Sequence, residues 1–210
     1  MPFSKANTRY NSIRDRAFKS YFDIFLIMCF LKDSNLSNVN KTEFESFHYD
    51  DSAFESCLKV YQLSSEKAKL ENGLTVKDLD SAIDDWMNGN ETKPYKEYFV
   101  GNRLIDKKVF TDWYGVDTKD RSCEWCKITK HEINDLIVAG KIHTKRLSTR
   151  GKDMEVDRRA PNKGYEEGNL ALCCYWCNNA KTDEFNEEEF IPVGEAIGDV
   201  FKKRLRELDT

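Results

Sequence analysis

The sequence predicts an α+β protein: a helical N-terminal region, then a smaller cysteine-bearing domain that closes on a C-terminal helix. Three observations predict it. Apolar residues recur at helical spacing through roughly the first 95 positions. From residue 121 the chain changes character, to cysteine, glycine, basic residues and short apolar runs. Two Cys-x-x-Cys pairs lie in that second part, Cys123–Cys126 and Cys174–Cys177.

The elements follow in order. Tyr10 to Leu31 carries Ile13, Phe18, Tyr21, Phe22, Ile24, Phe25 and Leu26 on a broad apolar stripe. Ser52 to Leu63 continues with Phe54, Leu58, Val60 and Tyr61. Thr75, with Asp78 three residues on, predicts a helix start, and that helix carries Leu79, Ile83 and Trp86 before stopping at Gly89. Asn88 to Pro94 joins turn formers to a proline and reads as the linker that ends an N-terminal region over 1–94. An aromatic-rich connector over 95–120 reads as helix rather than strand, and 121–210 forms the second domain. Its last helix is capped by Asn186 with Glu189 at the capping-box position. Val193, Ile197, Val200, Phe201, Leu205 and Leu208 follow at helical spacing.

The 210 residues suffice for a real core. Hydrophobic residues at 40% and charged residues at 33% describe a globular chain with a wet surface, and 10 Gly and 4 Pro exclude collagen-like or Pro-rich classes. The longest apolar stretch is broken by Asp23 and too short to span a bilayer, and no secretory signal opens the chain. A cytoplasmic protein without membrane contact is expected. The net charge of -4 argues against a wholly basic nucleic-acid coat. Its distribution is uneven: Asp50–Asp85 carries an acidic excess, whereas Lys141–Lys163 has eight basic side chains against three acids. A local basic patch of that kind can bind phosphate in a net-acidic protein.

The seven cysteines are an odd number. Each Cys-x-x-Cys knuckle presents two thiolates on one side of a tight turn, and two knuckles supply the four soft ligands of a tetrahedral Zn²⁺ site. The separation of 48 between Cys126 and Cys174 makes the intervening segment an element in its own right. Cys173 is a register rival of Cys174, but Cys174–Cys177 matches the spacing of the first pair. A closed four-thiolate site has no open position for water, so the zinc is structural.

Between and after the knuckles stand Asp157, Pro161, Gly164, Asn169-Leu170, Cys174, Cys177, Asn178 and Lys181. In order and type they resemble the signature of the HNH, or ββα-metal, nucleases, and the upstream Cys123–Cys126 pair resembles the zinc-bearing branch. The resemblance covers about residues 121 to 190. It implies a metal-dependent endonuclease hydrolysing DNA phosphodiesters, in phage biology or bacterial anti-phage defence. It also implies two strands, roughly 137–147 and 153–158, pinned by zinc against a helix after Cys177. Asp157 and Asn178 would hold a catalytic Mg²⁺ or Mn²⁺, since phosphodiester hydrolysis needs an activated water and a cation on the phosphate. Asn169 would tie the loop together and orient the base.

One position departs from the family. Arg158 stands where the resemblance leads one to expect the histidine base, and arginine cannot take a proton at neutral pH. Three readings stay open. The base comes from elsewhere, with His143 on the predicted first strand the best-placed candidate. Alternatively Arg158 clamps the scissile phosphate, or catalysis is lost and a zinc module only binds nucleic acid or a protein partner. Glu155 shares a strand face with Asp157 by the two-residue period and could add a ligand or a base. Lys145, Arg146, Arg150, Arg158, Arg159 and Lys181 are the candidate phosphate contacts, binding without sequence information. The N-terminal region is the candidate surface for a homodimer, a protein partner or target reading.

Overall fold

A computed structural model describes residues 2–115, 121–143, 145–148 and 150–208. The chain divides into two compact units, Asn11–Asp106 on the one hand and Met1–Tyr10 with Lys107–Thr210 on the other. No helix among the described residues is long and apolar enough to cross a membrane.

The first helix, α1, spans Pro2–Lys32 and passes from one unit into the other. In the helical unit α2 (Lys41–Ser46), α3 (Asp51–Tyr61), α4 (Val76–Gly89) and α5 (Lys93–Asn102) follow. Phe18, Phe22, Phe25, Phe44 and Phe99 are buried together, with Phe22 and Phe44 packed edge to face at 5.6 Å. A second cluster gathers Ile27, Phe30, Leu36, Cys57, Val60, Leu70 and Leu79. Local signals set the helix starts. Thr75 and Asp78 form a reciprocal capping box, which satisfies two backbone N–H groups that helix geometry leaves unpaired. In α3 the buried face is Ala53, Cys57 and Val60, while Leu58 and Tyr61 point outward.

In the other unit α6 spans Lys107–Gly115 and α7 spans Lys130–Val138. A short 3-10 turn covers Lys145–Ser148. Strand β1 (Glu155–Arg158) then pairs antiparallel with β2 (Leu170–Cys173), Asp157 opposite Ala171. Helix α8 spans Tyr175–Lys181 and α9 spans Glu187–Arg206. The strand expected over 137–147 is absent from the described residues of that stretch, whose start belongs to α7 instead. Thr129 and Glu132 cap α7 with their own capping box, a helix signal that outweighs the apolar Leu136–Val138 run. The partner of β1 lies downstream, in Leu170–Cys173. All four of its residues are buried, so no alternation of polar and apolar residues marked it as a strand.

Helix α9 is anchored by the predicted Asn186–Glu189 capping box. Its buried face runs through Phe190, Gly194, Gly198 and Phe201, and Val193 and Val200 are exposed. The two glycines allow backbone-close packing on the first knuckle. A Cβ at Gly198 would sit 2.5 Å from the Cys126 carbonyl oxygen, and one at Gly194 2.7 Å from Trp125 Cβ.

Candidate active site

The four knuckle cysteines converge. Cys123 N–H donates to the Ile128 carbonyl at 2.8 Å and Lys127 N–H to the Cys123 carbonyl at 2.9 Å. Lys127 takes φ of 65° to close this turn. Cys174 is the N-cap of α8, its sulfur accepting the Cys177 N–H at 3.4 Å. The four sulfurs are buried and lie within 4.8 Å of one another, Cys126 and Cys174 at 3.6 Å. A tetrahedral zinc with Zn–S bonds of about 2.3 Å requires sulfurs about 3.8 Å apart, so the cluster fits the ion. Cys173 is outside it, a buried thiol that burial holds well above its ordinary range. Glu124, inside the first knuckle, docks that knuckle on β2: its N–H donates to the Leu172 carbonyl and its carboxylate accepts the Leu172 N–H, both at 2.9 Å. An otherwise open sheet edge is thereby covered.

Helix α8 starts in this knot and lies along β1, with two successive rungs between them. Asn178 Nδ2 donates to Glu155 Oε2 at 2.5 Å. One turn on, Lys181 Nζ stands 3.7 Å from Asp157 Oδ2. Glu155 and Asp157 are two apart on the strand and so share a face, and Asn178 and Lys181 are three apart on the helix and share another. The two acids are in opposite states. Burial pushes the Glu155 carboxyl up, but hydrogen bonds from Arg150 and Asn178 outweigh it and hold the group below its usual range. Arg150 grips this carboxylate with two N–H groups, Nε at 2.8 Å. With its oxygens so occupied and its proton firmly lost, Glu155 is poorly suited to act as a base. Asp157 is pushed up by burial, which the Lys181 ammonium and the Arg158 N–H only partly counter. Its Oδ1 accepts the Arg158 N–H at 2.8 Å, whereas its Oδ2 is buried without a hydrogen-bond partner among the described residues. Lys181 Nζ is held instead on the Arg158 carbonyl at 2.9 Å.

Asn169 closes the loop between the strands. Its amide donates to the carbonyls of Ala160 (3.1 Å) and Gly164 (2.8 Å), and its Oδ1 accepts the Ala160 N–H at 2.9 Å.

The candidate phosphate contacts are differently placed than expected. Arg150 is committed to Glu155 and stacks on Tyr175, with 4.9 Å to the ring centroid. Arg158 pairs with Asp183 and lies over the Tyr165 ring. Arg159 pairs with both Glu124 and Glu187. Lys181 is fully buried, so it neither covers the helix surface nor reaches an outside phosphate; the cost of burying its charge is offset by the Arg158 carbonyl and Asp157. Arg146 is exposed on the 3-10 turn, and the Lys145 side chain lies outside the described residues. His143 is exposed and in no strand, so the reason for pairing it with Asp157 across a hairpin does not hold.

Sequence reasoning named Glu155 without its partners, because an ion pair with Arg150 and an amide contact from α8 leave no mark in local spacing. Arg9 was missed altogether. It belongs to the same unit as the site, and its Nη2 donates to the Met154 carbonyl at 3.4 Å.

No protein-family profile and no curated protein matches this sequence. Among solved structures the chain is similar to the rare-cutting HNH restriction endonuclease PacI, at 21% identity and a TM-score of 0.40, over 68% of this chain and 92% of that one.

Proposed function

We propose that the unit carrying the site is a metal-dependent HNH-type endonuclease that hydrolyses DNA phosphodiester bonds. The observation that carries this reading is the buried Oδ2 of Asp157, which has no hydrogen-bond donor among the described residues and only the Lys181 ammonium at 3.7 Å, beside an asparagine held by an ionised glutamate. A buried carboxylate oxygen without a donor is costly unless a cation completes it. A hard divalent ion, Mg²⁺ or Mn²⁺, suits such an oxygen. Asn178 is its second ligand. A carboxylate only accepts, so the Glu155 contact must come from the amide NH₂ of Asn178, which turns its Oδ1 away from Glu155 and leaves it available. The four-thiolate knot holds zinc and fixes the first turn of α8, and with it Asn178.

When bound, the divalent ion neutralises charge developing on the phosphate and leaving oxygen. Asp157 and Asn178 hold it, and Lys181 steadies the Asp157 charge from inside the fold. Arg158 stays protonated and cannot take the proton of the attacking water.

The test is cleavage of supercoiled plasmid with Mg²⁺ or Mn²⁺, comparing wild type with Asp157→Ala and Asn178→Ala. Cleavage lost in both variants supports the assignment; cleavage that Asp157→Ala leaves untouched overturns it. Wild-type protein that binds DNA tightly yet never cuts it is the non-catalytic zinc module instead. Metal analysis should find about one zinc per chain.

A further inference from the structure

A nuclease must hold the backbone of its substrate, yet three of the predicted phosphate contacts, Arg150, Arg158 and Arg159, are tied to acids within the fold. The cations that remain uncommitted near the site are elsewhere. A polar cleft of about 180 Å³ opens beside the start of β1, lined by Arg9, Ser148, Arg150, Lys152, Asp153 and Glu155 among others. Its two acids are already satisfied. Asp153 is paired with Lys5 and Lys130, and Glu155 with Arg150. Among the described residues neither Arg9 nor Lys152 makes an ion pair. Lys152 is exposed, and Arg9 makes a long hydrogen bond to a carbonyl and a through-space attraction to Glu155 without pairing with it. Counting Lys5 and Lys130, five cations surround two acids, so the cleft carries surplus positive charge. Glu155 is both a wall of this cleft and the partner of Asn178, so the cleft adjoins the proposed cation site.

We infer that this cleft binds a backbone phosphate of the DNA substrate through Arg9 and Lys152, with the first turns of α1 completing the substrate site of the C-terminal unit. The inference rests on the endonuclease reading for the identity of the ligand, although binding itself needs no catalysis. The Arg9 fork can take a phosphate oxygen pair, and Lys152 adds a point charge at the rim. The Ser148 hydroxyl provides a neutral donor. Contacts of this class set affinity and position without reading sequence.

The experiment is fluorescence anisotropy with a labelled DNA duplex, in buffer without added divalent ions and without chelator, over a range of salt. Full-length wild type is compared with Arg9→Gln, Lys152→Gln and the double variant, with Lys202→Gln as an exposed-cation control in α9. Zinc content and circular dichroism confirm that each variant is folded. Each single variant should weaken binding on every duplex sequence alike and lower the salt slope by about 1, the double variant by about 2. The control should match wild type. Variants that match wild type in affinity and slope overturn the inference, as does an equal loss in Lys202→Gln. Weakened binding with no wild-type plasmid cleavage would keep the cleft and remove the endonuclease reading. Intact cleavage with unchanged binding would do the reverse.

Discussion

Helix α8 serves two regions with opposite bonding. At its N-terminus the cysteine knot is closed: four buried sulfurs around one ion's worth of space, all within 4.8 Å of one another. One turn further, the face it shares with β1 is incomplete. Glu155 is saturated there, but Asp157 keeps a buried oxygen with no hydrogen-bond donor among the described residues. The difference teaches where to look for chemistry. A closed cluster stabilises and positions, while the leftover valence beside it is where a reactive ion and a substrate can enter.

The largest expected effect breaks the closed side. Cys177→Ser removes one of the four sulfurs proposed to hold zinc, and structural zinc contributes on the order of 10 kcal/mol to small metal-held folds. The variant should lose its zinc and the cooperative melting of the C-terminal unit, read by metal analysis and calorimetry. Retained zinc with an unchanged melt would remove the knot from the comparison.

Next comes the open side. Asp157→Asn should lower plasmid cleavage by at least about 100-fold, the scale of losing a transition-state electrostatic contact, while leaving the fold intact. Its stability should diverge from wild type with pH. Asp157 has its folded pKa raised, so the folded state holds its proton to higher pH than the unfolded chain does. Wild type without divalent ions therefore loses stability, relative to the variant, as pH rises from the ordinary aspartate range through the raised value. Paired thermal melts across pH check this, and added Mg²⁺ should restore wild type only. A variant less stable than wild type at neutral pH would show that the carboxylate is satisfied after all.

A smaller effect tests how the knot is buttressed. Gly198→Ala places a methyl group 2.5 Å from the Cys126 carbonyl oxygen, a backbone atom that cannot swing aside. Overpacking of this kind costs about 1–3 kcal/mol. Denaturant melts should show it, with zinc still bound.

The smallest stability change belongs to Glu155→Gln. Arg150 is more than a third exposed and can return to water, so about 1 kcal/mol is expected rather than the full cost of a broken buried pair. The informative readout is the Mn²⁺ concentration needed for half-maximal cleavage. It should rise if Glu155 orients Asn178, because a glutamine can present either an oxygen or an NH₂ to the amide. An unchanged requirement would make Glu155 a purely structural partner of Arg150.

What could be read along the chain was chemistry confined to a few neighbouring positions. The capping pairs Thr75–Asp78 and Asn186–Glu189 act over three residues and sit where the spacing put them. The two cysteine knuckles, each closed over three positions, met as one cluster. Stripe assignments were right for Leu79 and Phe201 but not for Leu58 or Val200, because hydrophobic spacing names a helix before it names the buried face.

Choices among distant partners were decided only by the folded chain. Strand β1 could pair upstream or downstream, and a fully buried partner strand carries no alternation to betray it. The guanidinium groups of Arg150, Arg158 and Arg159 looked equally ready for phosphate until the fold brought each an acid. Gly194 and Gly198 let α9 lie close on the first knuckle, a contact that helical spacing alone does not announce. Local hydrogen bonds are dictated by residue type and offset, so sequence alone determines them. Pairings across tens of residues depend on which contacts the whole chain can satisfy at once, and only the tertiary structure settles that competition.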